Sequence, residues 1–167
     1  MIDQAALRTV QDPLKASYRD NPDGACLTLS ATGRLGDAVT CSVQTGQAMI
    51  KAGLHPLTGG DGLSACSGDM LLEALVACAG VTLGAVATSL GIEVGDATLT
   101  AEGDLDFRGT LSVAKDAPVG FSAIRLRVNL DAEVSEEQRA LLEKLTERFC
   151  VVFQTLARPP ALSVSFV

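Results

Sequence analysis

The chain has 167 residues, a formal net charge of -7 and 47% hydrophobic residues, which is about one domain's length and enough to bury a core without disulfide or metal staples. With no cluster of Lys and Arg, the acidic balance argues against nucleic acid or an anionic membrane as partner, since both need concentrated positive charge, and leaves small molecules or proteins.

The opening MIDQAALRTVQDPLK carries charges early and no apolar run that could act as a secretory signal, so a cytoplasmic location is expected. Residues from about Asp3 to Tyr18 read as an amphipathic helix with Asp3 as N-cap, forming a helical lead-in over 1–20, with Pro13 as a break or kink. After the turn-forming Asn21 to Gly24, the alternating stretches ACLTLSAT and AVTCSVQT predict two strands joined at Gly33-Arg34-Leu35-Gly36. A short strand near Ala48 to Lys51 and a glycine-rich loop, Gly59-Gly60-Asp61-Gly62, lead to a long helix with Ser67 as N-cap, Asp69 in its first turn and Gly91 at its end.

That helix carries no charge from Ala74 to Leu90, near the lower limit for crossing a bilayer. Its Ala, Gly and Thr content, and the absence of flanking Lys or Arg, point instead to burial in a soluble core. Two period-two stretches follow, IEVGDATLTAEGDLDF and GFSAIRLRVNLDA, expected to form a second sheet. Ser135 and Gln138 then make a capping-box start for a helix whose buried face is Leu142, Leu145, Phe149, Val152 and Leu156. Arg158-Pro159-Pro160 stops it, and ALSVSFV reads as a last strand. The element order indicates an α+β fold in a single domain over 1–167.

The chemistry-bearing residues are few. Five cysteines, Cys26, Cys41, Cys66, Cys78 and Cys150, are not a disulfide framework in a reducing compartment, and any disulfide among them is expected to be transient. Cys78 and Cys150 each sit within a long apolar helical pattern, where Ala or Val would serve as filler, and so suggest thiol redox chemistry; Cys66 is a further redox candidate in the loop before the first of these helices. His55 is the single histidine, with no triad or zinc spacing around it, and the glycine-rich loop lacks the Lys-Ser or Lys-Thr of a phosphate loop. No metal or cofactor is expected.

Three stretches together resemble the family of osmotically inducible protein C and the organic hydroperoxide resistance proteins: GGDGLSACSGDMLLEALVACAGVTL, LTERFCVVFQTL and SATGRLGDAVT. The resemblance runs from about Cys26 to Val167, with the lead-in LKASYRDNPDGA closer to a less characterised branch. It implies antiparallel sheets packed around long central helices in an intertwined homodimer, with sites near the subunit interface. It also implies a peroxidase that turns organic hydroperoxides into alcohols in a stress response. Cys78 would then attack the peroxide, Cys150 would resolve the resulting sulfenic acid, and Arg34 would stabilise the thiolate and departing alkoxide, with Arg148 and Arg125 as other candidate cations.

The family's peroxidases place a glutamate, often after proline, near the helix start, and often a proline after the second cysteine. This chain has Asp69 and Val151 at those places. On this reading Val151 continues the helix, and Cys78, in mid-helix, gains little from the N-terminus of its own helix. Leu71, Leu72, Phe149, Val152 and Phe153 are expected to wall an apolar pocket. The reductant implied is a small dithiol, a lipoyl group or a thioredoxin-like protein. The alternative is a non-catalytic homodimer that binds a small apolar ligand, its cysteines serving as packing or as a slow redox sensor.

Overall fold

The structure is a computed structural model that describes residues 4–36, 40–43, 52–63 and 65–166, with side chains at 9–28, 52–63 and 65–166. Asp3 and the strand expected near Ala48 to Lys51 lie outside the described residues. The protein is α+β, with five α-helices and four strands among the described residues.

The first helix, α1 (Gln4–Asp20), passes through Pro13, whose exposed ring faces solvent. A 3-10 turn at Pro22–Ala25 leads into strand β1 (Cys26–Gly36), which pairs antiparallel with β2 (Thr40–Val43), placing Arg34 opposite Ser42 and Leu35 opposite Cys41. This corrects the expected turn. Gly33 to Gly36 are strand, because their backbone groups are taken up by the ladder to β2. The connection falls at 37–39, outside the described residues.

Helix α2 (Ser67–Leu90) begins where the Met70 N–H donates to the Cys66 carbonyl at 3.2 Å, so Cys66 takes the N-cap position expected of Ser67. It ends as expected at Gly91, whose φ of 63° lets the Gly91 N–H reach the Thr88 carbonyl and the Ile92 N–H reach Ala87. By length and composition α2 could cross a membrane, yet half of its most apolar window is buried inside the chain. Leu72, Leu75, Val76, Ala79 and Leu83 are almost wholly buried.

Strand β3 (Thr98–Asp106) alternates buried Leu99, Ala101 and Gly103 with half-buried polar neighbours, the period-two pattern of a sheet with one core face. A single helical turn, α3 (Phe107–Thr110), capped by the Asp106 carboxylate, precedes β4 (Ala123–Asn129). The strand order β2-β1-β3-β4 corrects the expectation of a second sheet, since β3 hydrogen-bonds beside β1. Local alternation shows that a strand has a buried face but not which strand it will join.

The capping box at Ser135 and Gln138 is present and opens α4 (Glu136–Phe149). The helix expected to run on through Cys150 stops there. Cys150 has φ -71° and ψ 107°, an extended conformation, and a separate helix α5 (Val151–Ala157) follows. Leu142 is buried, but Phe149 is 53% exposed. The expected last strand is also corrected: 161–166 form no strand, and Leu162, Val164 and Phe166 are all more than four-fifths exposed. An alternating segment becomes a strand only where another strand takes its N–H and C=O groups, and none within the described chain does so.

The chain divides into two compact units: Met1–Ala31, Gln44–Glu73 and Thr100–Arg127 form one, and Thr32–Val43, Ala74–Leu99 and Val128–Val167 the other. The first has a core of Tyr18, Ala25, Phe107 and Leu111, backed by Leu14, Leu57 and Leu105. In the second, Leu83, Ala87, Val94, Leu142 and Cys150 are buried.

Candidate functional site

Two thiols in the second unit form the site. Cys78 lies on α2 and is half-buried; Cys150, at the junction of α4 and α5, is 1% exposed. Both are free thiols, and the two sulfurs lie near enough for each to shift the ionisation of the other. The structure therefore brings the two sequence-predicted cysteines together.

The break at Cys150 makes this possible. Its N–H still donates to the Thr146 carbonyl at 2.9 Å, as the last bond of α4, while its carbonyl accepts from Gln154 at 2.9 Å, as the first of α5. Its Sγ accepts the Phe153 N–H at 3.4 Å, so the sulfur caps α5 in the place usually held by Ser, Thr, Asp or Asn. With that lone pair engaged, the S–H is free to point at Cys78.

Val151 and Val152, the first residues of α5, bring their backbone N–H groups near enough to the Cys78 sulfur to favour its ionised form. These are orphan donors of a helix start, available because no preceding turn accepts them. The helix that carries Cys78 offers it no N-terminal donor, since the residue lies in mid-helix, and the N–H groups come from α5 instead. Thr82, one turn further along α2, donates its hydroxyl proton to the Cys78 carbonyl at 2.7 Å and lies near enough to the sulfur to favour its ionised form.

These contacts separate the two thiols electrostatically. Burial pushes Cys78 up, but the Val152 N–H, the Cys150 thiol, the Val151 N–H and the Thr82 hydroxyl together bring it below the ordinary thiol value. Cys150 is pushed up to about 11, first by burial and then by the Cys78 sulfur that accepts its proton, against the opposing N–H groups of Phe153 and Val152. The arrangement favours ionisation of Cys78 over that of Cys150, the polarity in which the more accessible sulfur is the better nucleophile.

Beside this pair an apolar groove of about 390 Å³ opens between α2 and α4, lined by Val81, Thr82, Ala85, Val86, Leu145 and Phe149 among others. Of the residues expected to wall a pocket, Phe149 does so, whereas Leu72 is wholly buried and Leu71 is exposed.

The other sequence candidates stand as follows. The backbone of Arg34 lies in β1; its side chain, like that of Cys41, lies outside the described residues. Asp69 is half-buried in the first turn of α2, with its carboxyl pushed above the usual range by burial and pulled back by the nearby His55. His55 accepts the Leu57 N–H at its Nδ1 and stacks on Phe107 at 5.0 Å. Arg125 is engaged across the sheet with Asp104 at 2.9 Å and with Glu102, which holds the Asp104 carboxyl well below the usual range. Arg148 lies over the Phe149 ring at 5.2 Å. Cys66 is half-buried at the start of α2, and Cys26 is exposed.

Sequence reasoning missed Thr82 and the two valine N–H groups. Thr82 was detectable, since four residues along a helix returns to the same face. The N–H groups were not, because FCVVF contains no Gly or Pro to announce a break.

Residues 59–165 match the family of OsmC-like proteins. A crystal structure of an OsmC-like hydroperoxide resistance protein from Jannaschia sp. CCS1 is similar over 83% of this chain and 91% of that one, with a TM-score of 0.57 and 15% sequence identity, a likeness of fold. No curated protein matches the sequence. With a match spanning well over half of its length, and an α+β fold shared with that hydroperoxide resistance protein, the chain belongs to the OsmC-like protein family.

Proposed function

We propose that this chain is a cysteine-based peroxidase that reduces organic hydroperoxides to alcohols. The observation that carries the reading is the pairing of a half-buried Cys78, whose ionisation two backbone N–H groups of α5 favour, with a buried Cys150 whose thiol is pushed up to about 11. The Cys78 thiolate attacks the outer peroxide oxygen; an S–O bond forms, the O–O bond breaks, and the alkoxide takes a proton and leaves as alcohol. Cys78 is now a sulfenic acid. Cys150 attacks it, an S–S bond forms, and its thiol proton leaves with the hydroxyl as water. A dithiol reductant, whether a small molecule, a lipoyl group or a thioredoxin-like protein, restores the two thiols.

The similarity to a hydroperoxide resistance protein supports the substrate class, and the apolar groove beside Cys78 favours an organic peroxide over hydrogen peroxide. In this reading Arg34 stabilises the departing alkoxide and Asp69 positions it, as the family resemblance implies. We also infer a homodimer. Leu71, Ala74, Val81 and Ala85 are exposed on α2 at spacings of three, seven and four, and Leu162, Val164 and Phe166 at spacings of two, which suits a second copy covering both.

The test is dithiol-dependent consumption of cumene hydroperoxide and hydrogen peroxide by wild type, Cys78→Ser and Cys150→Ser, with the oxidised thiols followed by mass. Serine at 150 keeps a good helix cap, so the fold should survive. The expected result is turnover of the organic peroxide that is abolished by Cys78→Ser, with a Cys78–Cys150 disulfide in wild type. If wild type is as inert as Cys78→Ser, the reading fails, and the groove points to the non-catalytic dimer that binds an apolar ligand.

A further inference from the structure

In the reaction above Arg34 offsets the charge on the departing oxygen, and the source of the proton that makes it an alcohol is open. That oxygen becomes an alkoxide, a base far too strong to leave bare in an apolar groove, so a donor must stand on the open side of Cys78. Cys150 is wrongly placed for this, being 1% exposed. The Val151 and Val152 N–H groups are directed at the sulfur itself.

Thr82 meets the requirement. It stands one turn from Cys78 on α2, its hydroxyl bonded to the Cys78 carbonyl, and it lines the groove beside Val81, Val86, Leu145 and Phe149. At rest its single proton has an acceptor in the Cys78 carbonyl at 2.7 Å, so a rotation about one side-chain bond can redirect it. Ser89 supplies the other hydroxyl among the groove's lining residues, seven residues further along α2, about 10 Å at the rise of a helix.

Resting on the peroxidase reading, we propose that the Thr82 hydroxyl is a catalytic residue: it hydrogen-bonds the alkyl-bearing oxygen of the hydroperoxide, so that the alkyl group lies along the α2–α4 groove and the outer oxygen faces Cys78. As the S–O bond forms, the O–O electron pair passes to the alkyl-bearing oxygen. Thr82 gives that oxygen its proton and takes one from water at the mouth of the groove. Cys78 is oxidised to sulfenic acid, the peroxide is reduced to alcohol, and one solvent proton is consumed.

A peroxide whose leaving group needs no proton isolates this role. Peracetic acid departs as acetate, a weak base, whereas tert-butyl hydroperoxide departs as an alkoxide. The rate of Cys78 oxidation in a single turnover is measured by rapid quench and mass, for wild type, Thr82→Val, Thr82→Ala and Thr82→Ser, at a pH where alkylation shows Cys78 fully ionised in each. With tert-butyl hydroperoxide, valine and alanine should cost about 100-fold and serine less than about threefold, while with peracetic acid all should stay within about threefold of wild type. Equal losses on both peroxides would mean that Thr82 only holds the thiolate, and no loss on either would remove it from the reaction; both overturn the proposal. A wild type inert to both peroxides while Cys78 alkylates rapidly would instead bring down the peroxidase reading beneath it.

Discussion

The Cys150 sulfur faces two ways: it accepts the Phe153 N–H at 3.4 Å, and its thiol lies near enough to the Cys78 sulfur to favour ionisation there. One residue thus ends α4, starts α5 and sets the protonation of its neighbour. The first turn of α5 is consequently turned toward a sulfur carried by a different helix, and this replaces the stabilisation that mid-helix Cys78 cannot obtain from its own.

Val151 occupies the first position of α5, where proline is well tolerated because its N–H has no partner within the helix. The preceding Cys150, at φ -71° and ψ 107°, already has a conformation that a following proline accepts. Val151→Pro should therefore fold normally while removing one donor to Cys78. The expected outcome is a rise in the pH midpoint for iodoacetamide alkylation of Cys78, and a several-fold slower reaction at neutral pH. An unchanged profile would show that the Val152 N–H and Thr82 suffice.

The two thiols act on stability with opposite signs. Cys150 is raised to about 11, so its contribution is complete below the ordinary thiol value of 9.0 and is lost as pH rises through 11. Cys78 is depressed, so its contribution is present above that ordinary value and is lost as pH falls through the folded one. Urea midpoints of the reduced protein should rise into the ordinary thiol range and then decline toward pH 11. Cys150→Ala should flatten the decline and Cys78→Ala the rise; parallel curves for all three proteins would contradict the assigned protonation.

Thr146, on α4 one turn before Cys150, is 6% exposed, and its hydroxyl has no hydrogen-bond partner among the described residues. A buried polar group without a partner costs about 1–3 kcal/mol, and valine has nearly the same shape. Thr146→Val should stabilise the protein by about 1 kcal/mol in urea unfolding. A loss of stability would mean that the hydroxyl has a partner after all.

Gly60 sits where the chain turns back on itself before α2, its N–H donating to the His55 carbonyl at 3.1 Å. A methyl group there would lie 1.7 Å from the Leu54 carbonyl oxygen, a backbone atom that cannot rotate away. Gly60→Ala should cost about 2 kcal/mol or more, read as a lowered urea midpoint with unchanged slope.

Much of the fold was legible because its signals act over a few residues. The Ser135–Gln138 capping box, the Gly91 stop and the alternation of β3 each depend on neighbours within one turn or one strand, and all three hold. The helix through Cys150 misled for the same reason. Phe149, Val151 and Val152 continue an apolar spacing that reads as one helix, and the break leaves no Gly or Pro in the sequence. The Gly33–Gly36 segment misled in the opposite sense, since glycines suggested a turn where pairing with β2 makes strand.

By itself the sequence marked Cys78 and Cys150 as the candidates for chemistry: two cysteines in apolar helical surroundings, in two stretches that lie within the residues matching one family. Only the tertiary structure decided how the chemistry is divided between them. Which sulfur is half-exposed, which holds the proton, and which N–H groups face the thiolate all depend on contacts between α2 and the α4–α5 junction, segments remote in sequence. Periodicity and capping report on interactions within a turn, whereas a thiol's ionisation follows from every donor and every burying group around it, wherever in the chain each originates.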